Sequence, residues 1–336
     1  MLSFAIHPLF NNAIKLATLT VAVTAWGLAA PAAAQTYPTK PVTVIVPFAA
    51  GGSVDVLTRI ITSHMAKTLG QSFVMDSVGG AGGTIGVAKG ARSSPDGYTL
   101  VAGSSGSNAG AYSTYEKLSY SADSFANLGI MAIIPALVVV KKDLPVRNLQ
   151  DLLAYSKANP GKLSFGHPGV GSSVHLQCEF LKLATGIDMV LVPYKGAGPL
   201  MSDLIGGQID GACDAPPSSG GPVQSGLIRA IAVMGKERAA SMPDVPTTVE
   251  QGQPKLQAPA WIGLFAPKDT PKPVIDRLEN ALAAALNDPD IQARVTKLGA
   301  NVPPLAQRGM KFGNEFIQTE TTKWAELAKA ARLEKQ

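Results

Sequence analysis

Continuous apolar runs alternate with amphipathic stretches along most of the chain. The run VTVIVPF (42–48) is rich in β-branched residues, which is typical of a strand that is buried on both faces. In the stretch that follows it, Leu57, Ile60 and Ile61 recur at helical spacing, and Gly70 stands where a helix would end. The pattern therefore predicts a strand, a glycine turn and a helix in succession.

The same succession begins a second time about 120 residues later. A strand is predicted at 163–167, and the turn GVGSSVH (169–175) resembles AAGGSVD (49–55) before another amphipathic helix. Strands that alternate with helices indicate an α/β protein with parallel sheets, and the repeated start indicates two lobes of similar plan. Further strands are predicted at 72–76, 98–103, 189–194, 209–215, 228–235 and 260–267, and further helices at 149–161, 272–287, 289–298 and 308–333.

The two glycine and serine turns carry the candidate chemistry. In open α/β sheets the loops after the strands bind ligands. Glycines keep side chains out of these turns, and serines begin the helices, whose first N–H groups lack partners and suit an anion; these residues are Gly51, Gly52, Ser53, Gly171, Ser172 and Ser173. Two such turns across a cleft would bind a small anion from both sides. Alternatively, glycine serves only tight turning and serine only caps its helix.

The first 34 residues differ from the remainder of the chain. Lys15 directly precedes an apolar run (16–30), and the small residues at 32–34 resemble a cleavage signal. We interpret residues 1–34 as a secretory signal peptide that is cleaved after Ala34. The alternative of a membrane anchor is disfavoured, because a span needs about 20 apolar residues.

Composition and charge exclude several classes of function. With 46% hydrophobic and 16% charged residues, the chain has an ordinary globular composition. The formal net charge is +5, but the longest cationic run is Lys141-Lys142, so nucleic acid is not an expected partner. Neither a metal nor another cofactor is expected, because no Cys/His cluster has ligand spacing and GAGGTIG (80–86) has the wrong glycine spacing for a dinucleotide.

The remaining reactive side chains favour no enzyme. Cys178 and Cys213 both lie in apolar settings and are interpreted as buried free thiols, although export would permit a disulfide between them. His175, Ser173 and Asp214 could be combined into a triad, but His175 falls inside a predicted helix. An exported α/β hydrolase that uses a serine of one glycine turn stays open as the alternative.

Six segments of the chain together resemble a known family. The segments are YPTKPVTVIVPFAAGGSVDVLTR (37–59), SPDGYTLVAGSSGS (94–107), ANPGKLSFGHPGVGSSVHL (158–176), VPYKGAGPLMSDLIGGQID (192–210), MPDVPTTVEQG (242–252) and WIGLFAPKDTPKPVIDRL (261–278). In this order they are similar to the Bug-type, TctC-like solute-binding proteins of the tripartite tricarboxylate transporters. The resemblance covers essentially all of the chain after residue 34.

This resemblance implies a fold, a role and a place in the cell. The fold would be an α/β clamshell of the type II-like periplasmic binding proteins, with two crossover strands near residues 136 and 261 and a ligand cleft between the lobes. Lobe 1 would comprise 35–136 and 262–336, and lobe 2 would comprise 137–261. The protein would be a periplasmic monomer without enzymatic activity or membrane insertion. It would deliver a small carboxylate to large and small integral-membrane transporter subunits, or report the ligand to a sensor protein.

The resemblance also implies the site residues. In family members the loops after the first strand of each lobe hold a ligand carboxylate, and the serine-rich loop and an acid also face the cleft. The corresponding residues here are Phe48, Ala50, Gly51, Gly52, Ser53, Ser104, Ser107, His167, Gly169, Gly171, Ser172, Ser173 and Asp214. Dicarboxylates, aromatic acids, amino acids and nicotinate-like acids are all compatible with this set.

Two departures from the family pattern affect the expected ligand. Residues 77–80 read Ser-Val-Gly-Gly where the family usually has Asn-Arg-Pro-Gly, so that arginine is absent. His167 replaces a small residue, and it would either contact a second acidic or aromatic group of the ligand at the cleft rim, or lie on the surface without contact. Asp214 would suit a ligand hydroxyl, amide or ammonium group, or a bridging water.

Overall fold

A computed structural model describes residues 37–335 of the protein. The predicted signal peptide, with its cleavage position at Ala34, lies outside the described residues. The strands are β1 (Val42–Val46), β2 (Phe73–Ser77), β3 (Thr99–Ser104), β4 (Phe125–Ile134), β5 (Leu137–Lys141), β6 (Ser164–His167), β7 (Val190–Pro193), β8 (Gly211–Asp214), β9 (Ile228–Val233) and β10 (Ala260–Pro267).

The α-helices alternate with these strands and then close the chain. They are α1 (Ser53–Leu69), α2 (Thr84–Ala91), α3 (Ala111–Thr114), α4 (Leu149–Ala158), α5 (Ser173–Thr185), α6 (Ala197–Ile205), α7 (Pro216–Gln224), α8 (Lys272–Asn287), α9 (Pro289–Lys297) and α10 (Met310–Ala330). A π-helical turn covers Gly106–Gly110. No helix within residues 37–335 is long and apolar enough to cross a membrane.

The strands form two five-stranded sheets of the same plan. Their orders are β2-β1-β3-β10-β4 and β7-β6-β8-β5-β9. We call the first sheet with its helices the first lobe, and the second sheet with its helices the second lobe. The repeated start that the sequence shows is thus a repeated sheet topology, and the two-lobed α/β prediction is confirmed.

The prediction of parallel sheets is wrong in one respect. In each sheet the fourth strand runs antiparallel to both neighbours: β10 between β3 and β4, and β5 between β8 and β9. The reason is that the chain crosses between the sheets twice, and each crossing inserts one strand in the opposite direction. The second crossing strand, β10, spans Ala260–Pro267, which are the bounds that the sequence predicts for it.

Local sequence accounts for the elements that carry the cleft. Val44, Ile45 and Val46 of β1 are fully buried, as expected for a strand covered on both faces. Helix α1 ends at Gly70, whose left-handed φ of 71° is the conformation that glycine adopts most easily. Helix α5 ends in the same way at Gly186, with φ 68°.

A buried carboxylate fixes the C-terminal helix to the second crossing strand. Glu320 of α10 accepts hydrogen bonds from the indole N–H groups of Trp261 (3.1 Å) and Trp324 (3.2 Å), and both indoles are almost completely buried. Because Trp261 lies on β10, this network holds the crossing strand in the first lobe.

Both cysteines lie in the second lobe as buried free thiols, as the apolar settings predict. Cys178 is on α5 and Cys213 is on β8. Burial is the main reason that the pKa of the Cys213 thiol lies well above its usual range.

Candidate ligand-binding site

A cavity lies where the two lobes face each other. The first lobe contributes Phe48, Gly52, Ser53, Val54, Ser104, Ile134, Ala260, Trp261 and Ile262 to its lining, and the second lobe contributes Pro168, Ser172, Ser173, Val174, Gln177, Ala197, Asp214 and Ala215. The lining therefore includes the first residues of α1 and of α5. The two helices that follow the glycine turns begin at the same cavity.

The first-lobe turn presents backbone N–H groups rather than a side-chain cap. Gly52 precedes α1 and has no capping side chain. The amide of Val56 donates to the Gly52 carbonyl at 3.0 Å, so the amides at 53–55 precede the first intrahelical bond. Asp55 accepts from the Gly51 amide (3.0 Å) and from Arg59 Nε (2.9 Å). The Asp55 carboxylate thus holds the turn in place through the Gly51 amide.

The second-lobe turn uses one of its two serines internally. The Ser172 hydroxyl donates to the Gly169 carbonyl (2.7 Å) and accepts from the His175 amide (3.2 Å). Ser172 therefore caps α5, as the alternative interpretation of the sequence proposed. Ser173 also lines the cavity, and its hydroxyl has no hydrogen-bond partner within residues 37–335.

Asp214 lies at the cavity and is connected to the opposite lobe. Both of its carboxylate oxygens accept from the Ser218 hydroxyl, at 2.8 and 2.7 Å. Ser218 Oγ lies 3.3 Å from Ser53 Oγ. Since Ser218 has one proton and directs it to an ionised Asp214, Ser53 is the donor of the interlobe bond. Burial raises the pKa of Asp214 to about 6, against the opposing effect of the Ser218 hydrogen bond.

The side chains of the serine-rich loop after β3 form hydrogen bonds mainly with one another. The Ser104 and Ser107 hydroxyl oxygens are 3.1 Å apart, and Ser107 donates to the Asn108 side-chain oxygen at 2.8 Å. Ser104 lines the cavity, whereas Ser107 is completely buried behind it. This loop fixes the shape of the first-lobe wall.

His167 lies neither at the cleft rim nor on the surface, which corrects both expectations for it. Its ring is 2% exposed and packs against the His175 ring, with 4.5 Å between the centroids. Nδ1 of His167 has no hydrogen-bond partner. The two rings lie behind the 169–173 turn, and His175 Nδ1 accepts from the Gly171 amide at 3.3 Å.

Burial keeps both histidines neutral. It lowers the pKa of His167 to about 4. It lowers the pKa of His175 to about 3, and the nearby His167 and Lys182 add to this effect. Glu179 Oε1 lies 3.7 Å from His175 Nε2, and burial raises the pKa of that carboxyl as well.

The structure gives Gly171 a different role from the predicted one, which was to keep the turn open to a ligand. Its φ of 77° is left-handed, and a Cβ at this position would lie 2.6 Å from Cε2 of Tyr115 and 2.9 Å from Oγ1 of Thr114. Both neighbours belong to the first lobe. Glycine is therefore required at 171 because the two lobes meet there.

Of the predicted site residues, seven line the cavity and six do not. Those that line it are Phe48, Gly52, Ser53, Ser104, Ser172, Ser173 and Asp214. Those outside the lining are Ala50, Gly51, Ser107, His167, Gly169 and Gly171, which build or support the turns. Sequence reasoning missed Ile134, Gln177 and the β10 residues of the lining. An apolar crossing strand was the available signal for Trp261 and Ile262.

The cavity combines an anion-binding geometry with apolar walls. Among the lining residues that the structure describes, none is Lys, Arg or His, and Asp214 is the one carboxylate. A negative ligand group would therefore depend on the helix amides and the free Ser173 hydroxyl. Two α/β lobes that enclose such a cleft define the class of solute-binding proteins.

Comparison with known proteins gives the family within that class. The model of the tripartite tricarboxylate transporter receptor family, TctC, matches residues 57–333, and the chain belongs to this family. The family consists of solute-binding receptors rather than enzymes, so the hydrolase alternative is not supported.

Three solved structures are similar over nearly their whole length. The periplasmic binding protein BugD is 38% identical, with a TM-score of 0.85 over 89% of this chain and 100% of that chain. MatC of Rhodopseudomonas palustris, with bound malate, is 36% identical, with a TM-score of 0.83 over 87% and 99%. A second R. palustris protein, with adipate, is 31% identical, with a TM-score of 0.85 over 89% and 100%.

Proposed function

We propose that this protein is a periplasmic receptor that captures a small carboxylate between its lobes and delivers it to a membrane transporter. One observation carries the proposal: α1 of the first lobe and α5 of the second lobe both begin at the same cavity. Each helix start offers unpaired amides and the positive end of a helix dipole. A carboxylate at that place would gain donors from both lobes.

The ligand we propose has a carboxylate and a short, mainly apolar body. Phe48, Ile134 and Trp261 offer apolar walls, and Asp214 offers an acceptor for a hydroxyl, amide or ammonium group, or for a bridging water. The relatives with malate and adipate favour a dicarboxylate. An aromatic carboxylate is also compatible with the walls. A second carboxylate would need water or a proton between it and Asp214.

Closure of the lobes is the proposed mechanism of capture. A ligand that contacts both helix starts binds the closed arrangement better than an open one, so it shifts the population towards closure. The hinge would lie in the two crossings, between lobes at 35–136 plus 262–336 and 137–261. The closed shape is then what a membrane partner would recognise.

Membership of the family supports the proposed transporter and the proposed location. A receptor of the tripartite tricarboxylate transporters would pass its ligand to a large and a small integral-membrane subunit. The predicted export signal of residues 1–34 fits a periplasmic monomer that is processed near Ala34. We propose no cofactor, because the helix amides alone offer the donors that a carboxylate needs.

Thermal unfolding tests the proposed ligand class directly. The protein is unfolded and refolded to remove retained ligand, and is then heated with mono-, di- and tricarboxylates, aromatic acids and amino acids. At 100 times its dissociation constant, a ligand adds about 2.7 kcal/mol of stability, which raises Tm by roughly 2–4 °C per kcal/mol.

The matched control is the uncharged amide of each acid. We expect a shift with one class of carboxylate and none with its amides. Equal shifts with an acid and its amide, or no shift with any acid, would contradict a carboxylate receptor.

A further inference from the structure

A hydrogen bond joins the two lobes outside the ligand cavity. The hydroxyl of Tyr115, directly after α3 in the first lobe, donates to the carbonyl of Val170 in the second lobe at 2.7 Å. Neither residue belongs to the cavity lining. Val170 is in the turn that leads into α5, so Tyr115 holds this turn at a point outside the cavity lining.

The Tyr115 ring and two first-lobe glycines enclose the same turn. The ring lies against Gly171, as the 2.6 Å approach of a Cβ there indicates. A Cβ at Gly82 would lie 2.1 Å from the Val170 carbonyl oxygen, and a Cβ at Gly106 would lie 2.2 Å from the Ser173 nitrogen. Backbone of the first lobe therefore touches the turn at two places: at the Val170 carbonyl that accepts the Tyr115 hydrogen bond, and at Ser173.

These contacts exist only while the lobes are together. Tyr115, Gly82 and Gly106 are in the first lobe, whereas Val170 and Ser173 are in the second, so any opening at this edge breaks the hydrogen bond and separates the backbones. None of the contacts involves a ligand. Their free energy therefore favours the closed arrangement whether or not the cavity is occupied.

We propose that Tyr115 is a positioning residue that holds the 169–173 turn, and with it the start of α5, in the closed state. The part of this inference that concerns ligand affinity rests on the proposed function, whereas the part that concerns closure does not. Since this contact must break before the cleft opens and the ligand leaves, it slows ligand dissociation and does not speed association. It also gives the ligand-free protein a closed population.

Tyr115→Phe removes the hydroxyl and keeps the ring, and Tyr112→Phe is the matched control. Tyr112 lies on α3, and its ring packs against Tyr120 in the first lobe at 6.0 Å between centroids. Its hydroxyl has no second-lobe partner within residues 37–335. Both variants lose one phenolic hydroxyl from neighbouring positions, so a difference between them reports the interlobe bond.

Pulsed electron paramagnetic resonance measures the distance between two spin labels, one on each lobe, and so reports closure without any ligand. Val74 on β2 and Val190 on β7 are exposed, at 52% and 54%, and can be replaced by cysteine for labelling, because Cys178 and Cys213 are buried. We expect a closed population in the ligand-free protein, and the ratio of closed to open molecules should fall about two- to tenfold in Tyr115→Phe, as loss of one hydrogen bond allows. Tyr112→Phe should keep it.

A second variant tests the backbone contact. Gly106→Ala should reduce the closed population further, whereas Gly221→Ala should not, because a Cβ at Gly221 meets nothing within 4 Å. The inference would be overturned by a ligand-free protein without a closed population, or by equal populations in wild type and Tyr115→Phe.

The rate of ligand release adds a readout that a purely structural role would leave unchanged. With malate or adipate as the probe, Tyr115→Phe should release it about two- to tenfold faster and should associate no more slowly than wild type. A slower association at unchanged release would contradict the inference. Should neither acid bind, the proposed function fails in that form, and the spin-label distances still decide the role of Tyr115.

Discussion

At the scale of single residues, Gly171 shows why a glycine in a binding turn has more than one explanation. Its position in a strand–glycine–serine–helix turn suggested that it clears space for the ligand. The structure instead places the Tyr115 ring of the opposite lobe where a side chain would stand. The sequence pattern located the turn, but the partner comes from 56 positions earlier and was not predictable from the local pattern.

We predict that Gly171→Val weakens carboxylate binding at least tenfold, because the added side chain meets Tyr115 and prevents closure. Gly161→Val is the control for backbone strain, since Gly161 also has a left-handed φ of 69° but nothing within 4 Å of its Cβ position. Both variants should lose stability, and only Gly171→Val should lose affinity by titration calorimetry.

Ser173→Ala completes this comparison. It should weaken binding by about two- to tenfold, which corresponds to the 0.5–1.5 kcal/mol of one hydrogen bond, because the helix amides remain. Equal small losses in Gly171→Val and Ser173→Ala would contradict the account of the turn.

At the scale of elements, the turn before α1 depends on a carboxylate at the third helical position. Asp55 reaches back to the amide of Gly51, one residue before the N-cap Gly52, and pairs with Arg59 one turn later. The ion pair compensates the negative charge of Asp55, so the positive end of the helix stays available to a ligand.

Asp55→Ala should therefore weaken ligand binding by several-fold, because the Gly51 amide loses its partner and the turn loosens. Asp55→Asn keeps an acceptor oxygen and should retain more affinity than Asp55→Ala. Arg59→Ala leaves the Gly51 contact in place and serves as a further comparison. If Asp55→Ala binds as tightly as wild type in titration calorimetry, the turn does not need this anchor.

The elements also show how far sequence reasoning reaches. Helix α8 and strand β10 have the predicted bounds, because their apolar periodicity and the flanking prolines are local signals. The apolar pattern alone did not predict strands β4 and β5, since their place in the sheets depends on pairing with distant segments. The family resemblance did imply a crossover strand near residue 136, where β5 begins. Helix α7 was also missed, because PPSSGGPVQ has little intrinsic helix propensity.

The candidate site likewise contains residues that a local pattern predicts and residues that only the folded chain brings together. The helix starts at Ser53 and Ser173 follow from a local strand–turn–helix pattern. Gln177 and Trp261 reach the cavity from a helix interior and from the second crossing strand, so only the folded chain brings them there. The contact between the tilted rings of His167 and His175 likewise depends on how α5 packs against β6.

At the scale of the whole molecule, the buried histidines make stability depend on pH. Their folded pKa values, about 4 for His167 and about 3 for His175, lie below the unfolded value near 6.5. The unfolded chain therefore binds more protons, and stability falls as pH decreases from 6.5 towards these values, by about 1.4 kcal/mol per pH unit and proton.

Asp214 acts in the opposite sense. The pKa of Asp214 in the folded protein, about 6, lies above its usual value of 3.8. Its contribution therefore favours the folded state at low pH and is lost as pH rises through 6. Glu179, whose pKa burial also raises, acts in the same sense as Asp214, so these two carboxyls offset part of the loss of stability that the two histidines cause towards pH 4. In urea unfolding between pH 4 and 8, His167→Gln should flatten this loss. Parallel curves for wild type and variant would contradict the assignment.

The central claim is that one carboxylate is bound by the starts of two helices from different lobes. A crystal structure with the acid that gives the largest thermal shift tests it most directly. We predict a carboxylate within about 2.7–3.2 Å of amide nitrogens at the starts of both α1 and α5, in the cavity that Ser53 and Ser173 line. A carboxylate held by one lobe alone, or bound outside this cavity, would contradict the account.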